Sequence, residues 1–244
     1  MTHALLFPGQ GAQAIGMGKD LADSFPEARA VFQEVDEALG QNLSAMIWDG
    51  DIETLTLTEN AQPALMATSV AAARALTAAG VDLTKASFVA GHSLGEYSAL
   101  CAAGAISLSD TARLLRIRGK AMQAAVPVGV GAMAAILGLD FEAVSKIANE
   151  AAGAEVCQAA NDNDPGQVVV SDAQEIKGLL VEQVTGSVRW RETVAFMSAQ
   201  GVTETFEIGA GKALSGMVRR VDRAIGVNAV GDAAGVAAAA EKLG

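Results

Sequence analysis

Aromatic residues, cysteine, histidine and positive charge are all scarce in this chain, and each shortage narrows what the protein can do. Aromatic side chains make up 4% of the 244 residues, too few for a surface on which nucleic-acid bases stack. Lys and Arg number 17 against 28 Asp and Glu, a formal net charge of −11. Neutralising phosphates needs a basic field, so nucleic acid is not an expected partner, and a polyanionic ligand must meet a local basic patch. The two cysteines, Cys101 and Cys157, form no disulfide framework and lack metal-ligand spacing, so neither a metal nor a cofactor is expected. No apolar run reaches membrane-spanning length, and residues 1–8 lack a basic stretch followed by a long apolar one. The resulting expectation is a cytoplasmic chain without a membrane partner. Of its residues 51% are hydrophobic and 18% charged, which excludes a disordered chain. Its length suffices for one large domain or a domain with a smaller lobe.

Strand and helix patterns alternate along the chain. Ala4–Phe7 reads as a short buried strand, stopped by Pro8 and the Gly9-Gln10-Gly11 turn. Helical periodicity follows over Leu21–Leu39 and Pro63–Ala79. Ser87–Ala90 is a second short strand, and a helix starts near Glu96. Such alternation predicts an α/β fold with a mostly parallel sheet and helices on both faces. Ser107 and Asp110 approximate a capping box for a helix from Ser109 to about Ala125. Pro127-Val128-Gly129-Val130-Gly131 then reads as a hinge into a smaller lobe. That lobe has a strand at Ala132–Leu139, a helix at Phe141–Ala152 and strands at Val156–Ala160 and Gln167–Val170. Strand, helix, strand, strand is most of a ferredoxin-like unit without its final helix and strand. A helix over Glu175–Gln183 follows, then a last strand at Thr205–Ile208, which turns at Gly209-Ala210-Gly211 into closing helices. The predicted division is 1–127 with 172–244 as the large subdomain and 128–171 as the small one.

Three pieces of sequence carry chemistry. Gly91-His92-Ser93-Leu94-Gly95 is a G-x-S-x-G turn between a strand and a helix. Its glycines remove Cβ atoms where the chain folds back, so Ser93 can occupy a strained turn with its hydroxyl exposed. The helix behind it aims backbone N–H groups, led by that of Leu94, at an oxyanion formed there. The second piece, Phe7–Gln13, lies at the carboxyl end of the first strand, where parallel sheets gather their ligands. Gln10 can lend a second N–H to the same oxyanion. Arg118 is the third. Its helical neighbours Leu114, Leu115, Ala121 and Met122 are all apolar, whereas Arg113, Arg116 and Lys120 fall on another side. A cation on an apolar stripe needs an anion, either an internal Asp or Glu or a carboxylate on a substrate.

Together these stretches resemble the malonyl-CoA:acyl carrier protein transacylases of bacterial fatty acid synthesis. The matches are Phe7–Gln13 with Gly16-Met17-Gly18, Gln62–Leu65, Gly91–Leu100, Arg118–Gln123, Pro165–Val169 and Gly209–Leu214, all in order. The resemblance implies an α/β-hydrolase-like large subdomain and an incomplete ferredoxin-like small one. It also implies malonyl transfer from malonyl-CoA to the phosphopantetheine thiol of acyl carrier protein through a Ser93 acyl-enzyme. Ser93 is then the nucleophile, Gln10 and Leu94 supply the oxyanion N–H groups, Arg118 pairs with the malonyl carboxylate and Gln62 lines the acyl site. Gln183 matches the residue whose backbone carbonyl orients the catalytic histidine. The family carries that histidine between the Gly-Gln-Val-Val strand and the helix leading to Gln183. Here Val170 is followed almost at once by that helix, so the residue has no counterpart. Three explanations stay open: a segment of the protein that this sequence leaves out, a deliberately shortened chain, or a natural deletion. The first is favoured, because loss of the block would uncover sheet edges and apolar helix faces. His92 stays in the elbow in a packing or hydrogen-bonding role, and His3 opens the first strand.

Two other readings remain open on the residues: a serine hydrolase or thioesterase, and a non-catalytic acyl- or carrier-binding module. A monomer is expected. Candidates for a basic patch toward an acidic carrier protein are Arg189, Arg191, Lys212, Arg219, Arg220 and Arg223, for which solvated helix charge is the plainer reading.

Overall fold

The structure, a computed structural model, describes residues 2–125, 133–152, 157–171 and 187–244. The hinge at 127–131, the helix over 175–183 and the boundary residues 127, 128 and 172 of the predicted subdomains lie outside the described residues.

A four-stranded parallel sheet organises most of the chain. Its strands are β1 (His3–Phe7), β2 (Phe88–Gly91), β6 (Glu204–Ile208) and β7 (Gly226–Val230), in the order β2-β1-β6-β7. β1 is central and buried on both faces, which its unbroken apolar run Ala4-Leu5-Leu6-Phe7 requires. Leu5 and Phe7 point into one core, with Phe206 and Ile208 of β6 and the helices α1 (Lys19–Ser24), α2 (Pro26–Leu39), α5 (Thr58–Ala78) and α7 (Leu108–Ala125). Ala4 and Leu6 point the other way, onto α9 (Trp190–Ala199) and α10 (Ala213–Val221) through Trp190, Val194, Met197, Leu214 and Val218. Between α2 and α5 lie the short α3 (Leu43–Asp49) and α4 (Ile52–Thr56). α6 (Gly95–Ala102) follows β2, and α11 (Ala233–Leu243) closes the chain.

The smaller sheet contains β3 (Met133–Leu137), β4 (Gln158–Asp164) and β5 (Gln167–Ser171), antiparallel, in the order β3-β5-β4. With α8 (Phe141–Ala152) between β3 and β4, this is the predicted strand-helix-strand-strand unit, with β5 inserted between the two strands that flank the helix. Half of the capping box forms: the Asp110 N–H donates to Ser107 Oγ at 3.1 Å, while the Asp110 carboxylate accepts from that hydroxyl at 2.7 Å and not from the Ser107 N–H.

Several expectations are corrected. The helix predicted over Leu21–Leu39 is two helices, because Pro26 has no N–H to continue the first and instead starts the second. α5 begins at Thr58, so Pro63 sits inside it. Thr205–Ile208 is not the last strand: β7 follows it, a half-buried edge whose Gly226-Val227-Asn228-Ala229-Val230 alternates too weakly to stand out.

Among the described residues a sheet edge and several apolar side chains are uncovered. Among the described residues no strand pairs with the outer edge of β2. Beside it the exposed Phe196 ring meets Phe88 edge-on at 5.8 Å. On the small sheet Met133 and Leu137 are 61% and 69% exposed, although both belong to a strand of apolar composition.

Candidate active site

The parallel register brings Phe7 of β1 beside Gly91 of β2, so the loops after both strands emerge side by side. The His92 N–H donates to the Phe7 carbonyl at 3.0 Å, the last rung before the chain turns. Ser93 then adopts φ +54°, and among the described residues it is the single non-glycine in the left-handed region. A Cβ on Gly95 would stand 2.8 Å from the Phe7 carbonyl carbon and closer still to its oxygen, and one on Gly91 would overlap the Gly95 and Glu96 backbone. The two glycines are therefore steric requirements of the turn, and the positive φ of Ser93 is held by structure on both sides.

Gly95, Glu96 and Tyr97 donate their N–H groups to the carbonyls of His92, Ser93 and Leu94 at 2.9–3.1 Å, which starts α6. The Leu94 N–H is not used in those bonds and sits at the head of the helix, directly after the serine. Gly9 lies against His92, since a Cβ there would be 2.8 Å from His92 Nδ1 and from its carbonyl oxygen. Gln10 is the residue that follows Gly9 in the chain. Its side chain is fixed by accepting a 2.7 Å hydrogen bond from Thr58 Oγ1 at the start of α5.

Arg118 of α7 is 7% exposed. Its Nη1 donates to Gln62 Oε1 at 2.7 Å, and its Nη2 donates to Ser93 Oγ at 3.0 Å. Gln62, wholly buried on α5, is oriented in turn by a 3.3 Å contact from its Nε2 to Met122 Sδ. The guanidinium carbon lies 5.8 Å from the centre of the Tyr97 ring. Arg118 Nε is buried without a partner, and among the described residues no carboxylate forms an ion pair with this arginine. Burial pushes the Arg118 pKa down, against the opposing pull of Tyr97 and Glu96. The internal Asp or Glu that a buried arginine would ordinarily recruit is thus missing from its contacts, and its partners are neutral.

His92 faces away from this cluster. Its Nε2 is 2.9 Å from Asn163 Oδ1, and its ring meets Trp190 edge-on at 5.6 Å. Burial pushes its pKa below the ordinary histidine value. His92 therefore packs and hydrogen-bonds, as the elbow reading expects, and Asn163 is the partner that sequence reasoning missed. His3, the other histidine of the chain, stacks edge-on against Phe206 within the sheet. Gln183 lies outside the described residues.

Three of the six basic-patch candidates are taken up in ion pairs. Arg191 pairs with Asp162, Arg220 with Asp164, and Arg189 with Glu192 one turn along its own helix. Of the six candidates, Lys212, Arg219 and Arg223 form no ion pair among the described residues.

A serine on a strained strand-to-helix turn, beside a buried cation with neutral partners, defines an acyl-handling site on a parallel α/β scaffold. Residues 4–235 match the acyl transferase domain family. A malonyl CoA-acyl carrier protein transacylase of Bacillus subtilis (strain 168) is 38% identical over 298 aligned positions, covering 94% of this chain and 93% of that protein. The solved acyl-carrier-protein-S-malonyltransferase from Bartonella henselae is 44% identical, with a TM-score of 0.93 over 100% of this chain and 99% of its own. A malonyl-transacylase solved in complex with its type II PKS acyl-carrier protein is 34% identical, with a TM-score of 0.92 over 99% of this chain and 100% of its own. The chain belongs to the malonyl CoA-acyl carrier protein transacylase family. The 298 positions aligned with the Bacillus protein exceed the 244 residues of this chain by 54, so that relative carries at least that many residues without a counterpart here.

Proposed function

We propose that this protein takes a malonyl group from malonyl-CoA onto Ser93 and passes it to the phosphopantetheine thiol of an acyl carrier protein, in the cytoplasm. The observation that carries the proposal is Arg118: a buried cation, hydrogen-bonded to the nucleophile at 3.0 Å, with no carboxylate paired to it. An acyl group ending in a carboxylate supplies the missing anion and, by pairing there, sets its thioester carbonyl beside Ser93 Oγ. A hydrolase of neutral acyl groups has no use for that cation. Gln62 holds the guanidinium in place from the far side. The N–H groups of Gln10 and Leu94, from the two loops that the β1–β2 register brings together, stabilise the tetrahedral oxyanion.

In the first half-reaction the Ser93 oxygen bonds to the malonyl carbonyl carbon, the carbon–sulfur bond breaks, and coenzyme A leaves as its thiol. In the second the carrier thiol attacks the serine ester and Ser93 regains its proton. Thioester and oxygen ester exchange without change of oxidation state, so the chemistry calls for no metal or cofactor. Neither histidine lies within hydrogen-bonding distance of Ser93 Oγ, and His92 is held by Asn163. General-base help is worth roughly 10²–10⁴-fold, so acylation of this chain is expected to be slower than that of its relatives by a factor in that range. In the same reading the chain divides into 1–127 with 172–244 and 128–171, with the site on the larger part. Lys212, Arg219 and Arg223 are the charges left to meet an acidic carrier protein.

The test is the intact mass of the protein after incubation with malonyl-CoA. One malonyl adduct is expected, absent from Ser93→Ala and discharged on adding holo acyl carrier protein. Prolonged incubation without an adduct, or an adduct that survives Ser93→Ala, would refute the proposal.

A further inference from the structure

Side chains alternate between the two faces of a strand, yet three consecutive residues of β4 are buried against the larger part of the molecule. Asp162, Asn163 and Asp164 are 4%, 3% and 1% exposed. The register of β4 against β5 explains how. It slips between Ala159 and Asn161 and again between Asp162 and Asp164, and such bulges break the two-residue period and re-aim side chains. Each of the three then meets a different element of the large sheet's layer. Arg191 of α9 forks onto Asp162, with Nε 3.0 and 3.1 Å from its two oxygens and Nη2 at 2.8 Å. Arg220 of α10 donates from Nε to Asp164 Oδ2 at 2.6 Å. Between them Asn163 Oδ1 meets His92 Nε2 in the elbow.

A second link fixes the direction of that bond. Asn163 Nδ2 donates to Gln167 Oε1 at 3.1 Å; with the amide so oriented, Oδ1 faces His92 and the matching tautomer is the one that carries its proton on Nε2. The backbone reinforces the seam: the Asp162 N–H donates to the Val188 carbonyl and the Val188 N–H to the Ala160 carbonyl, both at 2.8 Å.

We infer that Asp162 and Asp164, gripped by Arg191 and Arg220, are positioning residues that deliver Asn163 to His92 and so fix the residue next to the nucleophile. The two ion pairs flank a neutral contact on both sides, so neither carboxylate touches the reacting atoms. Their effect on chemistry passes through Asn163, His92 and the backbone shared with Ser93. The link to reactivity rests on Ser93 being the nucleophile, whereas the link to His92 stands on its own.

The protein has two histidines, so ¹⁵N spectra of the imidazoles in the intact chain can separate His92 from His3. The expected wild-type result is a slowly exchanging N–H on His92 Nε2. Asn163→Ala should abolish it, and Asn163→Asp, which keeps the acceptor, should retain it. Because Asp162 and Asp164 are buried, the decisive variants are Arg191→Gln and Arg220→Gln, at half-exposed side chains. Each should speed exchange of that N–H by roughly tenfold or more, and Arg191→Lys should restore part of the protection. A signal equally protected in both Gln variants while their melting temperatures fall would make the pairs merely structural and overturn the inference. So would a His92 proton found on Nδ1. The same variants should lower the rate at which p-nitrophenyl acetate acetylates Ser93, and an unchanged rate despite a lost His92 signal would refute the link to the nucleophile. Failure of Ser93 to label in the wild type counts against the proposed function, while the imidazole spectra still decide the positioning role.

Discussion

Replacing Arg118 by Gln should erase the preference for a carboxylated acyl group and leave the affinity for a neutral one nearly unchanged. The magnitude follows from the geometry. Arg118 is 7% exposed and hydrogen-bonds two neutral partners, so an arriving carboxylate meets a cation that no carboxylate yet pairs with. Two unit charges about 4 Å apart attract by about 4 kcal/mol at an effective dielectric constant of 20. Stripping water from the carboxylate cancels part of this and leaves roughly 2–3 kcal/mol, comparable to other desolvated charge pairs. At 1.4 kcal/mol per tenfold, malonyl should be favoured over acetyl by about 30–150-fold. The measurement is titration calorimetry with non-hydrolysable malonyl- and acetyl-CoA analogues, which separates binding from the slow chemistry. Wild type should discriminate within that range and Arg118→Gln should bind both analogues alike. A preference that persists in the variant, or equal binding by the wild type, would show that the anion is bound elsewhere.

Three further outcomes follow from the same structure. Gly95→Ala must drive a Cβ into the Phe7 carbonyl; urea unfolding should show a loss of at least about 1–3 kcal/mol, with Ser93 labelling lost even where the chain stays folded. Glu207 is a buried carboxylate that accepts from the Leu214 and Ser215 N–H groups at 3.1 and 2.7 Å, capping α10 from a neighbouring strand. Glu207→Ala should therefore cost about 1–2 kcal/mol by the same assay. His92 is held neutral by burial, with its folded pKa below the unfolded value, so its contribution to stability is complete above about pH 6.5 and fades as pH falls below it. Compared at pH 7.5 and 5.5, wild type should lose more stability than His92→Gln, and equal losses would exclude the effect.

Much of the site could be read from order along the chain. The G-x-S-x-G turn states its own geometry, because glycines on both sides of a serine between strand and helix leave few other conformations. Arg118 was legible as a lone cation on an apolar helical stripe, and the structure leaves it buried without a carboxylate. The edges of the reading were set by weaker signals. Pro63 looks like a helix start, yet the packing of an Ala-rich helix buried on every side carries α5 back to Thr58. β7 lacks the apolar contrast of β1 because only part of its surface is covered.

The sequence by itself determined the alternation of strand and helix, the strained serine and the need of one arginine for an anion, since each depends on neighbours a few residues away. Only the tertiary structure decided that Arg118 meets Ser93 and Gln62, which lie 25 and 56 residues away along the chain. It also decided that Arg191 and Arg220, half-exposed as they are, hold the buried Asp162 and Asp164. Charges on separate elements have no pattern that reports their pairing. The bulges of β4, which turn three successive residues the same way, arise from its register against β5 and are invisible in β4 alone.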